Sequence, residues 1–254
     1  MLVEPIAVET KGAVRVIRLT GTPSRGNPLN GPLWDQLLGV VRDADADPAI
    51  RCMVLFGTER FFSVGADIKE MVNTTAIQWA LEKWMDDWDS LRNTDTPIIA
   101  GVRGIAFGGG FELALLCDFM VVADDARLAL PETSIGVIPG CGGGQRLISL
   151  CGRAVTSDLV LTGRELSGTE AVALGVAARC FKSEDLVAET IAMAEKVAER
   201  APVALRFARE VIREASEGPI RQSLRIERLL AYLVFDDDER KNRMESFLAQ
   251  RTKK

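Results

Sequence analysis

The sequence predicts an α/β fold built on a parallel sheet and followed by an all-helical C-terminal stretch. Two observations lead there. Strand-like and helix-like patterns alternate through roughly the first 180 residues, the order that parallel sheets require. After that point apolar residues recur only at helical spacing, with Pro202, Gly218–Pro219 and Asp236–Asp238 as punctuation. We therefore divide the 254 residues into an α/β core, 1–183, and a helical region, 184–254.

The elements follow in order. AVRVIRLT (13–20) alternates apolar and polar residues as a half-buried strand does, and GTPSRGNPLNGP is a loop. Asn30 or Gly31 precedes Pro32, a suitable first-turn proline for the helix WDQLLGVVRDAD. IRCMVLFG (50–57), TPIIAGV (96–102) and CDFMVVA (117–123) are apolar without alternation, as strands covered on both faces are. Residues 76–92, with Leu81, Trp84 and Trp88, read as one helix. Segments 184–200, 202–216, 219–234 and 236–250 read as four more, and the sequence contains no internal repeat.

Composition excludes several kinds of chemistry. Apolar residues make up 47% and charged residues 26%, ordinary values for a globular protein. The net charge of −5 argues against a nucleic-acid surface. No uncharged apolar run is long enough to span a bilayer, and MLVEPIAVETKG does not read as a secretory signal. The five cysteines are scattered, without a C-x-x-C pair, which fits reduced thiols in a cytoplasmic protein. There is no histidine. Serine–histidine triads, cysteine–histidine dyads and histidine-ligated zinc are thereby removed, and carboxylates become the first suspects for proton transfer, ahead of Lys, Cys, Tyr232 and the backbone.

Three segments concentrate what remains: FFSVGADIKEM (61–71), GIAFGGGFELALLCD (104–118) and LALPETSIGVIPGCGGGQRL (128–147). A helix starts near Asp67 in the first. In the second, Gly108 to Gly110 follow a strand and open a helix, where unpaired amides and the helix dipole favour negative charge. The residues alone leave two readings open, an oxyanion-binding turn or a closely packed crossover. Phosphate-loop patterns do not match. Glu112 and Glu132 are acids in apolar surroundings, where a carboxyl is either a structural partner or a group with a raised pKa. Two such acids in a chain without histidine point toward paired acid–base work.

These segments, together with LTGRELSGTEAVALGV, resemble the enoyl-CoA hydratase/isomerase, or crotonase, family from about Val14 to Arg251. The resemblance implies a spiral of repeated ββα turns followed by helices used for trimer assembly, as a homotrimer or a homohexamer. It implies an acyl-CoA thioester substrate with no metal or redox cofactor. In the family, the amides matching Ala66 and Gly109 form an oxyanion hole for the thioester carbonyl. Ala66, Asp67, Ile68 and Lys69 match the stretch lining the CoA cleft. The hydratase glutamates match Glu112 and Glu132, and keeping both sets this sequence apart from isomerases, which typically keep only the acid matching Glu132. The expected activity is hydration of a trans-2-enoyl-CoA. A carnitinyl-CoA-type dehydratase, an enoyl-CoA isomerase and a non-catalytic binding protein are the alternatives.

Some residues sit less clearly. Pro28, Cys141 and Gly144 depart from common family residues, with Pro28 in a loop matching the border of the adenosine site. Trp79, Trp84, Trp88, Met71 and Met85 serve either the acyl pocket or a core or subunit contact, and the core or subunit-contact reading is favoured for each. Phe247 and Arg251 resemble a terminal stretch that touches CoA. Tyr232 has no evident chemical partner in the sequence.

Overall fold

The computed structural model describes residues 5–21, 25–82 and 87–251. The chain forms two compact units, one extending to Glu195 and the other starting at Lys196.

The first unit opens with β1 (Ile6–Lys11) and β2 (Val14–Leu19), an antiparallel pair, and then α1 (Gly31–Ala46). Asn30 caps α1 by accepting from the Leu33 amide at 3.0 Å, and Pro32 occupies its first turn. Next come β3 (Cys52–Phe56), β4 (Phe61–Ser63), α2 (Ile68–Met71), α3 (Ala76–Glu82), α4 (Trp88–Arg92), β5 (Ile98–Val102), β6 (Ile105–Phe107) and α5 (Gly109–Leu116). The unit continues with β7 (Phe119–Ala123), β8 (Arg127–Ala129), a 3-10 turn (Glu132–Ile135), α6 (Gly143–Thr162), β9 (Leu166–Ser167), α7 (Gly168–Ala173) and β10 (Arg179–Phe181), and α8 (Leu186–Ala198) follows.

These strands form two sheets. The larger has the order β1-β2-β3-β5-β7-β10, parallel from β2 onward, and the smaller has the order β4-β6-β8-β9. Successive turns of chain place one strand in each sheet, β3 then β4, β5 then β6, β7 then β8. This is a spiral of strand–strand–helix turns. The repeat is one of backbone path and leaves no repeated residue pattern, because each turn meets different neighbours. β3 and β5 are buried along their whole length, which explains their unbroken apolar character.

The sequence expected one helix over 76–92. The structure describes α3 and α4 there, and Trp84 and Met85 lie outside the described residues. Trp88 belongs to the core, stacked on Trp34 of α1 with ring centroids 4.5 Å apart. The short strands β4, β6, β8, β9 and β10 were not legible in the sequence, since two or three residues give no periodicity. α8 packs Leu186 against Val121 and Ala123 of β7, and the compact units part after Glu195, further along than the sequence boundary at 183/184.

The second unit contains α9 (Pro202–Glu217), α10 (Ile220–Leu233) and α11 (Asp238–Arg251), close to the expected helices. Many of its apolar side chains are exposed, including Ile212, Ile220, Leu229, Tyr232, Phe235 and Phe247. Among the described residues no helix is long and apolar enough to cross a membrane.

One network fixes the end of β4. Asn27, buried and at φ 52°, donates to the carbonyls of Leu19, Phe61 and Phe62. Ser63 Oγ donates to Asn27 O at 2.8 Å and accepts from the Gly65 amide at 3.1 Å. Leu29 N donates to Gly65 O at 2.8 Å. Ser63→Ala leaves the buried Gly65 amide without that acceptor, which we expect to cost about 1–3 kcal/mol in urea unfolding. An unchanged unfolding midpoint would show that the network does not hold this turn.

Candidate active site

The site begins with α5. Its side chains from Phe111 to Leu116 are buried, and the helix is apolar on every face because it is enclosed on every face. Glu112 is its single polar side chain and is only 2% exposed. A carboxylate there needs donors. The loop before α6 supplies them, with the amides of Cys141 and Gly143 each donating to Glu112 Oε1 at 2.9 Å. Arg146 in the first turn of α6 braces this loop, its Nη1 donating to Cys141 O at 2.7 Å. Burial pushes the Glu112 pKa up, while the two amides and the Arg146 charge push it back down.

Glu132 starts the 3-10 turn after β8 and reaches toward Gly108. A Cβ on Gly108 would lie 3.1 Å from Glu132 Oε1. Its other oxygen, Oε2, is buried without a hydrogen-bond partner. Burial is the main cause that raises its pKa to about 7, and the Glu112 charge adds to it. The two carboxyls thus differ: Glu112 has two amide donors, whereas Glu132 has a free buried oxygen. The Cys141 thiol beside them is raised by burial and by Glu112, so it stays protonated and is a poor nucleophile.

Two backbone turns meet above these acids. Gly108 caps α5 at φ 53°, ψ −130°, a conformation closed to residues with a Cβ. Gly65, at φ 89°, lies against it so closely that a Cβ would sit 2.8 Å from the Gly109 amide nitrogen. A Cβ on Gly109 would in turn be 3.6 Å from the Ala66 amide nitrogen. The amides flanking Ala66 are committed, Gly65 N to Ser63 Oγ and Asp67 N to Leu29 O. The Gly109 amide is the first of its helix, where no partner exists within the helix. The close packing of the two turns is what brings the Ala66 and Gly109 amides near each other.

A cleft of about 940 Å³ contains Ala66, Gly109, Glu112 and Glu132 in its walls. Ile68, Met71, Trp79, Ile135 and Ile138 make much of the rest apolar. A second cavity of about 380 Å³ shares Ala66, Met71, Thr74 and Trp79 with it and adds Asp67 and Glu70. Of the residues expected at the CoA cleft, Ala66, Asp67 and Ile68 line these cavities, whereas Lys69 is exposed and lines neither. Asp67 also caps α2, accepting from the Lys69 amide at 3.0 Å. Trp79 and Met71 belong to the cleft, where the sequence had favoured a core or subunit contact. Tyr232 and Phe247 are exposed, and the Arg251 side chain lies outside the described residues. Sequence reasoning missed the Cys141 and Gly143 amides, Ser63 and Arg146, because backbone donors and their braces leave no mark on residue type.

The profile of the enoyl-CoA hydratase/isomerase family matches residues 9–254, and the chain belongs to that family. It is 38% identical over 251 residues to a probable enoyl-CoA hydratase of Rhizobium meliloti (strain 1021), covering 99% of this chain and 97% of that one. It is 36% identical to the mitochondrial enoyl-CoA hydratase of Pongo abelii, covering 98% of this chain and 86% of that one. Among solved structures, enoyl-CoA hydratase subunit I from Geobacillus kaustophilus HTA426 matches with a TM-score of 0.94 and 37% identity, covering 97% of this chain and 95% of that one. The fold is that of the crotonases, and the protein is an enzyme of the hydro-lyase type.

The raised pKa of Glu132 has a consequence for stability. A carboxyl at about 7 when folded and near 4.5 when unfolded keeps its proton longer in the native state. Stability then falls as pH rises from 4.5 toward 7 and stays lower above that range. Glu132→Gln removes this loss, so its melting temperature should exceed that of wild type at pH 8 and converge with it below pH 4.5. A constant difference across that range would contradict the assignment.

Proposed function

We propose that the enzyme adds water across the C2–C3 double bond of a trans-2-enoyl-CoA to give the 3-hydroxyacyl-CoA. The observation that carries the reading is the pair of unlike carboxyls, one buried with two amide donors and one with a partnerless buried oxygen, that share a single cleft with Ala66 and Gly109.

In this reading the thioester oxygen sits between the amides of Ala66 and Gly109. They draw electron density toward it, make C3 electrophilic and stabilise the enolate-like charge that develops. Removing one such donor typically costs roughly 10²–10³ in rate. Glu112, held by its two backbone donors, orients the water together with Glu132. The water oxygen bonds to C3, the π pair moves to C2, and C2 takes a proton chiefly from Glu132. The surplus water proton passes to the carboxyl pair, which returns to its starting state. Both additions occur on one face of the double bond because both acids lie on one side of it. The pair titrates as a unit, so its pH profile reports the pair and not one residue. This chemistry calls for no metal or redox group.

The acyl group we assign is uncharged. Among the described residues the cleft is lined by no lysine or arginine, and its ionisable acids are Glu112 and Glu132. An acyl chain ending in a carboxylate would be desolvated beside the Glu112 anion with no cation in the cleft lining. The exposed apolar side chains of the helical unit support assembly of copies into a trimer or hexamer.

The test follows the loss of enoyl-thioester absorbance with crotonyl-CoA. Wild type should consume it, and Glu112→Gln and Glu132→Gln should each fall by about 10²–10⁴. A thioester ending in a carboxylate should be hydrated more slowly than an uncharged one of equal length. Full activity in either glutamine variant would overturn the mechanism. No turnover by wild type would point to the isomerase or carnitinyl-type reaction, or to binding alone.

A further inference from the structure

We propose that Arg146 is a positioning residue for the reaction: its guanidinium holds the 140–143 loop against Glu112 and so fixes Glu112 as the anionic member of the carboxyl pair. This rests on the hydratase reading of the site and names a residue outside the reacting groups.

The argument is geometric first. Glu112 Oε1 takes both of its backbone donors, Cys141 N and Gly143 N, from one short loop. That loop turns at Gly142, in the left-handed region at φ 89°, so that amides two residues apart converge on one oxygen. Neighbouring amides that converge in this way form an anion-binding concavity. The loop carbonyl between those amides, Cys141 O, accepts from Arg146 Nη1 at 2.7 Å. The guanidinium packs so closely on the turn that a Cβ on Gly142 would lie 2.3 Å from Nη1. Arg146 is itself fixed by α6, its amide donating to Gly142 O at 3.0 Å. The brace, the turn and the two donors are therefore one rigid piece.

The charges around Glu112 agree. Arg146 is the cation that favours the ionised form of Glu112, and the Glu112 charge in turn raises Glu132. The Cys141 thiol, the other titratable group beside them, is raised by burial and by both glutamates. Two acids side by side must share their charge unequally. Arg146 and its loop decide which of them keeps the proton. Glu132, with a partnerless buried oxygen, is left as the protonated one.

The experiment is a pH titration of the glutamate carboxyl carbons by 13C NMR, assigned with Glu112→Gln and Glu132→Gln, in wild type, Arg146→Met and Arg146→Lys. The Glu112 midpoint should move up in Arg146→Met and return toward wild type in Arg146→Lys. With crotonyl-CoA, the acidic limb of kcat/KM should move up in Arg146→Met, while KM changes little. Each pH unit of movement lowers kcat/KM on that limb by about tenfold. An unmoved Glu112 midpoint in the folded methionine variant would overturn the proposal. Should that variant not fold, Arg146→Gln against Arg146→Lys carries the same comparison, and equal midpoints would overturn it. The carboxyl titration needs no turnover, so an inactive wild type would overturn the hydratase reading while the role of Arg146 is still read.

Discussion

A single oxygen, Glu112 Oε1, is held by two backbone amides 2.9 Å away inside a helix that is otherwise apolar. The site depends on that pairing. An ionised carboxyl in such surroundings is costly unless it is hydrogen-bonded, and α5 carries no other polar side chain. The donors come from the loop that opens α6, about thirty residues further on. Satisfying one buried acid therefore fixes the distance between two successive turns of the spiral. The cleft is lined by both of these turns and by the stretch from Val64 to Ala80.

A second constraint is the contact between the turn at Gly65 and the turn at Gly108. Here backbone meets backbone without side chains between, because a Cβ at Gly65 would collide with the Gly109 amide. Such an approach brings the Ala66 and Gly109 amides near each other. The network from Asn27 through Ser63 to Gly65 holds one side of it, and the cap of α5 holds the other. The grip on Glu112 and the close approach of the two turns are thus both made from backbone. Side chains contribute the two carboxyls and the apolar wall.

This division explains what was legible in the sequence. The long buried strands, the helix capped at Asn30 and the C-terminal helices were readable from apolar pattern and punctuation. The strands of the smaller sheet were not, because β4, β6 and β8 are three residues each. Glu112 and Glu132 stood out as acids in apolar segments, and their nearness to each other is a fact of the spiral that spacing alone could not reveal. Gly108 to Gly110 signalled a turn, but the residue that completes it, Gly65, is more than forty positions away in sequence. Lys69 was expected at the cleft from its motif, yet the first turn of α2 points it to solvent, and its amide is used to cap that helix. Trp79 and Trp88 looked alike, but α3 brings one to the cleft and α4 packs the other on Trp34.

The most direct test of the central claim, that two unlike carboxyls deliver water and a proton to one face of the enoyl thioester, is hydration of crotonyl-CoA in D2O with NMR analysis of the product. The account predicts one deuterium at C2, on the same face as the new C3 hydroxyl. Deuterium on both faces of C2, or deuterium at C4 with the double bond migrated, would contradict it.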